Sequence, residues 1–134
     1  MTIQVKLPTI IKSDARKLRG LIPEKSIDLI MTSPPYWKCR NYGHPDQIGQ
    51  EETAEAYIDD LINALESWKS FLRPHASVFI NLGDVYRQGV LVGIPAMFEI
   101  AAFKNGWKIA NRAIWSKDRG IPEPNPYRLA NRYE

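Results

Sequence analysis

The chain has 134 residues, 44% of them apolar and 25% charged, the proportions of a globular domain that buries a core of its own. Its 18 Lys and Arg against 15 Asp and Glu leave a formal charge of +3, a mild lean towards polyanions. One cysteine, Cys39, excludes a disulfide framework and a cysteine-based zinc site; there is no membrane-length apolar run, and the start Met1-Thr2-Ile3-Gln4 has no signal peptide, so a cytoplasmic location is expected.

In chain order, Ile3, Val5 and Leu7 alternate with polar neighbours, the pattern of a short strand. Ser13 is placed to cap a short helix with Asp14 in its first turn and Leu18 and Leu21 on one face. Ile27 to Met31 is a nearly all-apolar run, expected as a strand buried on both faces of a parallel sheet. A polar loop with Gly43, Pro45 and Gly49 spans Lys38 to Glu52. Thr53 then caps a helix whose Tyr57, Leu61, Leu65, Trp68 and Leu72 share one face, with Pro74 as its stop.

Ser77 to Leu82 reads as a second buried strand, halted by Gly83-Asp84. A helix from Ile94, with Pro95 in its first turn, closes at Asn105-Gly106. Trp107, Ile109, Ala113 and Trp115 fall on one face of a period-2 strand. Pro122, Pro124, Pro126 and Gly120 mark a loop or arm beyond it. Strands alternating with helices predict an α/β fold with a mainly parallel sheet. His44 and His75 are isolated in polar surroundings, and no metal site is expected; Trp68 and Phe71 belong to a core.

The chemistry-bearing stretch is Thr32-Ser33-Pro34-Pro35-Tyr36-Trp37, at the carboxyl end of the first long strand, where open α/β sheets bind ligands. The two prolines fix φ and remove two successive N–H groups, leaving stiff backbone with carbonyls beside the Ser33 hydroxyl and an aromatic pair. Such a set suits the exocyclic amine of cytosine, a poor nucleophile because its lone pair is delocalised into the ring. Hydrogen bonds from both amine hydrogens to Ser33 and the Pro34 carbonyl favour a pyramidal nitrogen. Tyr36 would stack the base once flipped, and Trp37 would support that stack or a cationic sulfonium.

This motif resembles that of the β-group DNA amino-methyltransferases, in the Ser-Pro-Pro-Tyr form of the cytosine-N4 branch; adenine-N6 enzymes usually have Asp or Asn at the position of Ser33. Ser26 to Met31, Ile48-Gly49-Gln50-Glu51 with Tyr57-Ile58, Asn81-Leu82-Gly83-Asp84, Gly106-Trp107, Trp115-Ser116-Lys117 and Pro122-Glu123-Pro124 are similar to that family too. The resemblance implies a partial Rossmann-like fold with helices on both faces of the sheet. It implies S-adenosylmethionine as methyl donor and duplex DNA as substrate, in a restriction-modification setting. It assigns catalysis to Ser33, Pro34, Pro35 and Tyr36, and donor contacts to Asp14, Thr32 and Trp37. DNA contacts fall to Lys117, Arg119, Arg128 and Arg132, with residues 1–116 as the catalytic-motif half and 117–134 as an arm towards target recognition.

The departure is the family's Phe-x-Gly-x-Gly donor loop. Glycines stand at 20, 43, 49, 83, 89, 93, 106 and 120, no two of them two apart. The donor-binding half is therefore expected on a second chain or a C-terminal continuation, with self-association as the other way to cover the open edge. Two further readings stay open: methylation of adenine N6, and a non-catalytic DNA-binding or assembly fragment. Asp84 is open between shaping the pocket floor and ending the strand.

Overall fold

A computed structural model describes residues 8–118. The elements are β1 (Ile27–Thr32), α1 (Ala54–Trp68), β2 (Leu72–Ile80), β3 (Tyr86–Arg87), β4 (Val90–Leu91) and α2 (Ile94–Lys104). β1 and β2 pair in parallel, Ile30 beside Val78 and Thr32 beside Ile80, with α1 in the crossover that parallel neighbours require. Thr53 Oγ1 accepts from the Ala56 amide at 3.1 Å and starts α1 where expected. The helix buries Tyr57, Ile58, Leu61, Ile62, Leu65 and Trp68 against Ile94, Phe98 and Ala102 of α2, with Trp37, Phe71 and Leu82 closing the core.

Several expectations are corrected. α1 ends at Trp68, not Pro74, because Phe71 O accepts from both Ser26 N and Ile27 N and draws Leu72 into β2. Pro74, which has no N–H to give, lies where the β1–β2 register shifts. Ser13 to Leu21 forms turns rather than a helix: the Asp14 carboxylate accepts from Arg16 N at 2.9 Å and Lys17 N bonds to Asp14 O at 2.9 Å, an Asx-type turn that competes with helical bonding. The second strand stops at Ile80, short of Leu82.

Among the described residues, neither strand is covered on both faces. Ile30, Thr32, Val78 and Ile80 face the core side, whereas Leu29, Met31 and Phe79 are 51%, 74% and 59% exposed. Among the described residues the helices cover one face of the sheet, not both. α2 ends as expected, with Gly106 at φ +82° and a Schellman pair, Trp107 N to Ala102 O at 3.1 Å and Gly106 N to Phe103 O at 3.0 Å. The strand expected over Trp107 to Trp115 is absent: no described neighbour offers it a ladder, and Ile109, Ile114 and Trp115 are exposed. Trp107 instead donates Nε1 to Glu66 and lies under Lys69. The expected strand at Ile3 to Leu7 and the arm from residue 119 lie outside the described residues.

β3 and β4, not anticipated from the sequence, form a tight hairpin. Gln88 and Gly89 at its turn both take positive φ, +52° and +79°, as a two-residue loop matching strand twist demands.

Candidate active site

Thr32 closes β1, and its carbonyl accepts the amide of Asn81 at 2.9 Å, tying together the carboxyl ends of both strands. The motif leaves the sheet there with Ser33 exposed, Pro34, Pro35 and Tyr36 half-buried, and Trp37 buried. Segments remote in sequence converge on it.

From α1, the Tyr57 hydroxyl donates to the Pro35 carbonyl at 2.8 Å. Burial, with Glu51 and Tyr36 nearby, holds the Tyr57 phenol well above its ordinary pKa, so it stays a donor. From the loop, Gly49 O accepts from Lys38 N at 2.7 Å, and the Trp37 indole donates to Glu51 O at 2.9 Å. The Glu51 carboxylate in turn accepts the Gly49 amide through both oxygens, each at 2.9 Å. Gly49 is at φ +101°, and a Cβ there would sit 3.1 Å from the Tyr36 carbonyl oxygen, so this cradle admits only glycine.

The third support follows β2. Asn81 Nδ2 donates to the Tyr36 hydroxyl at 3.1 Å, and a Cβ on Gly83 would lie 2.7 Å from the Tyr36 ring. Gly83 and Asn81 thus set the depth and the tilt of that ring. Ser33 Oγ lies 3.5 Å from the Tyr36 hydroxyl, and the Pro34 carbonyl accepts no hydrogen bond among the described residues. An exposed hydroxyl, a carbonyl with spare lone pairs and a fixed aromatic ring therefore share one corner.

Other expected site residues lie elsewhere. Asp14 binds Arg16 through both carboxylate oxygens, Nε at 3.0 Å and Nη2 at 2.9 Å, and this pairing lowers its pKa to about 2. Arg16 borders a cleft of about 620 Å³ whose walls also include Asp46, Asp60, Gln50 and Glu51; neither Asp14 nor Ser33 to Trp37 are part of it. The Trp37 ring is 8% exposed, with the Arg87 guanidinium 5.6 Å from its centroid, so it anchors the motif in the core rather than offering an open face. Asp84 Oδ1 accepts the amides of Val85, Gly93 and Ile94 at 2.8, 2.9 and 3.0 Å, fixing the start of α2 rather than a pocket floor. Lys117 is half-buried; Arg119, Arg128 and Arg132 lie outside the described residues. His44 Nδ1 accepts the Asp46 amide, and His75 pairs with Asp28. Cys39 is exposed.

Gly49, Glu51, Tyr57, Asn81 and Gly83 had no assigned role in the sequence reading. Their signal was a glycine inside each of two short segments that also resembled the family.

A parallel strand pair with a helical crossover and a stiff proline–aromatic loop at its carboxyl end makes this an α/β arrangement with a small parallel sheet. The model of the DNA methylase family, covering N6 and N4 enzymes, matches residues 27–134, and the chain belongs to that family. It is 36% identical over 117 residues to the type II methyltransferase M.MwoI of Methanothermobacter wolfeii, covering 84% of this chain and 18% of that protein. With M.SmaI of Serratia marcescens it shares 28% over 143 residues, 85% of this chain and 49% of the relative.

Among solved structures, a protein described as a DNA modification methylase from Thermus thermophilus, complexed with S-adenosyl-L-methionine, superposes with a TM-score of 0.65 at 31% identity, covering 90% of this chain and 50% of that one. The cytosine-N4-specific PvuII DNA methyltransferase superposes at 0.72 with 23% identity, covering 90% of this chain and 44% of that one, a likeness of fold. The chain thus spans about half or less of the length of these relatives. No helix among the described residues is long and apolar enough to cross a membrane.

Proposed function

We propose that this chain is the base-binding half of a DNA methyltransferase of the restriction-modification type that methylates cytosine N4 in duplex DNA, with S-adenosylmethionine as donor. The observation that carries this reading is the corner formed by Ser33 Oγ, the Pro34 carbonyl and the Tyr36 ring, the ring held by Asn81 and Gly83. A flipped cytosine stacks on Tyr36 and gives its two amine hydrogens to Ser33 and Pro34, which pyramidalises the nitrogen and frees its lone pair. Catalysis then rests on positioning, which supplies on the order of several kcal/mol. The Ser-Pro-Pro-Tyr form supports cytosine over adenine.

The described residues do not build the donor's site by themselves. The Asp14 carboxylate already accepts three N–H groups of Arg16, the backbone amide, Nε and Nη2; the Thr32 carbonyl accepts the Asn81 amide, and Trp37 is buried. A partner polypeptide or continuation bearing the glycine-rich loop completes the enzyme, and Lys117, Arg119, Arg128 and Arg132 contact DNA phosphates on the way to target recognition.

The test is co-expression with a polypeptide carrying Phe-x-Gly-x-Gly, followed by nucleoside mass spectrometry of the host DNA. N4-methylcytosine that disappears in Ser33→Ala supports the reading. N6-methyladenine would move the target to the other branch of the family, and unmodified DNA with every such partner would make the chain a non-catalytic fragment.

A further inference from the structure

Two exposed segments, far apart in sequence, meet beside the motif. Arg87 on β3 donates Nη2 to the Lys38 carbonyl at 3.1 Å while its guanidinium lies over Trp37. The β3–β4 hairpin is thereby fastened to the loop that leaves the motif. No Asp or Glu occurs from Ser33 to Pro45, nor from Val85 to Phe98. Lys38, Arg40 and Arg87 have no carboxylate partner among the described residues, whereas Arg16, Lys69, Arg73 and Arg112 each have one. Three cations, Lys38, Arg40 and Arg87, thus face one carboxylate on this rim, Asp46 at the far end of the loop.

The rim is also built in advance. The Gln47 side chain closes the loop on itself, its Nε2 donating to Arg40 O at 2.7 Å and its Oε1 accepting Tyr42 N at 2.6 Å; Gln50 Nε2 adds a bond to Arg40 O at 2.9 Å. With the backbone held this way, the Tyr42 ring stands 63% exposed, and Val90 beside the hairpin turn is 65% exposed. Unpaired cations interleaved with an exposed aromatic ring on an ordered backbone suit a nucleic-acid strand.

We propose that loop 38–45 and the β3–β4 hairpin form one DNA-gripping rim of the site, with Arg40 and Arg87 on backbone phosphates and Tyr42 against the base stack. The proposal rests on the DNA reading above and adds the surface that delivers the base. Arg87 has a second consequence: a phosphate that holds its guanidinium also steadies Trp37, the residue next to Tyr36. DNA engagement and the motif's geometry are coupled through one side chain.

Fluorescence anisotropy of the full chain with a labelled duplex, across a salt series, tests this. Arg40→Gln with Arg87→Ala should weaken binding about tenfold or more and flatten the salt slope by about one per cation. Tyr42→Ala should weaken binding about tenfold with the slope unchanged. Arg112→Ala, remote on the Glu99 pair, is the control and should bind as the parent does. Because Arg87→Ala also loosens a core contact, Arg40→Gln by itself must show its share of the slope change. Parent binding that both arginine variants retain, slope included, overturns the rim while leaving DNA as the substrate. A parent chain that binds no duplex overturns the rim as well, and the methylated-nucleoside assay then decides the enzymatic reading independently.

Discussion

The carboxyl end of the sheet and its outer face belong to the same two strands, yet they are finished very differently. At the carboxyl end Tyr36 is fixed by Asn81 and Gly83, Pro35 by Tyr57, and Trp37 by Glu51. On the outer face Leu29, Met31 and Phe79 are exposed with nothing described above them. Where a residue's partners lie within this stretch of chain, it is locked in place; where they do not, apolar surface stays open. The proposed base-binding corner is held by described residues on several sides, whereas the outer face is covered by none of them.

The comparison breaks most sharply at the corner. In the reconstituted enzyme Ser33→Ala should lower kcat by about 100-fold, the usual cost of one pre-organised polar partner at the reacting group, measured by single-turnover methyl transfer; a change under about threefold would make Ser33 a bystander. Tyr36→Ala should weaken engagement of the flipped base by about 1–3 kcal/mol, read as the fluorescence of 2-aminopurine at the target position.

The outer face gives the next effect. The chain by itself should self-associate as concentration rises, since an uncovered apolar face and strand edge invite pairing. Met31→Ser with Phe79→Ser should reduce that association in light scattering, and co-expression with the loop-bearing partner should do the same. A parent chain that stays monomeric at high concentration would show that this face needs no cover.

The smallest effect belongs to Asp14. Its folded pKa, about 2 against an ordinary 3.8, means that the Arg16 pair stabilises the fold fully above about pH 4 and that this contribution fades as pH falls through about 2. Asp14→Asn should therefore cost about 1 kcal/mol or less at neutral pH, as expected for a partly exposed pair, and nothing below about pH 2. Thermal melts across that range read the difference.

The elements with local signals were legible in the sequence: Thr53 as a cap, the buried face of α1, and the Asn105-Gly106 close of α2 all lie where patterning puts them. Asp14 misled because a residue suited to a helix's first turn suits an Asx turn equally well, and Arg16 decided between them. Trp107 to Trp115 has strand periodicity but no described ladder partner, and periodicity reports a face without supplying the neighbour. The motif itself was visible at Ser33 to Tyr36. Its supports were not, because Gly49, Asn81 and Gly83 act on Tyr36 from distant parts of the chain, through contacts that no local pattern encodes.

Gly83→Ala tests the central claim most directly, since it adds one methyl group where the Tyr36 ring lies and leaves the proposed phosphate contacts of Arg40 and Arg87 untouched. If the corner works by holding that ring in place, methyl transfer in the reconstituted enzyme should fall by about 100-fold while the salt slope of duplex binding, set by the phosphate contacts, stays close to the parent's. Undiminished transfer by Gly83→Ala would contradict it.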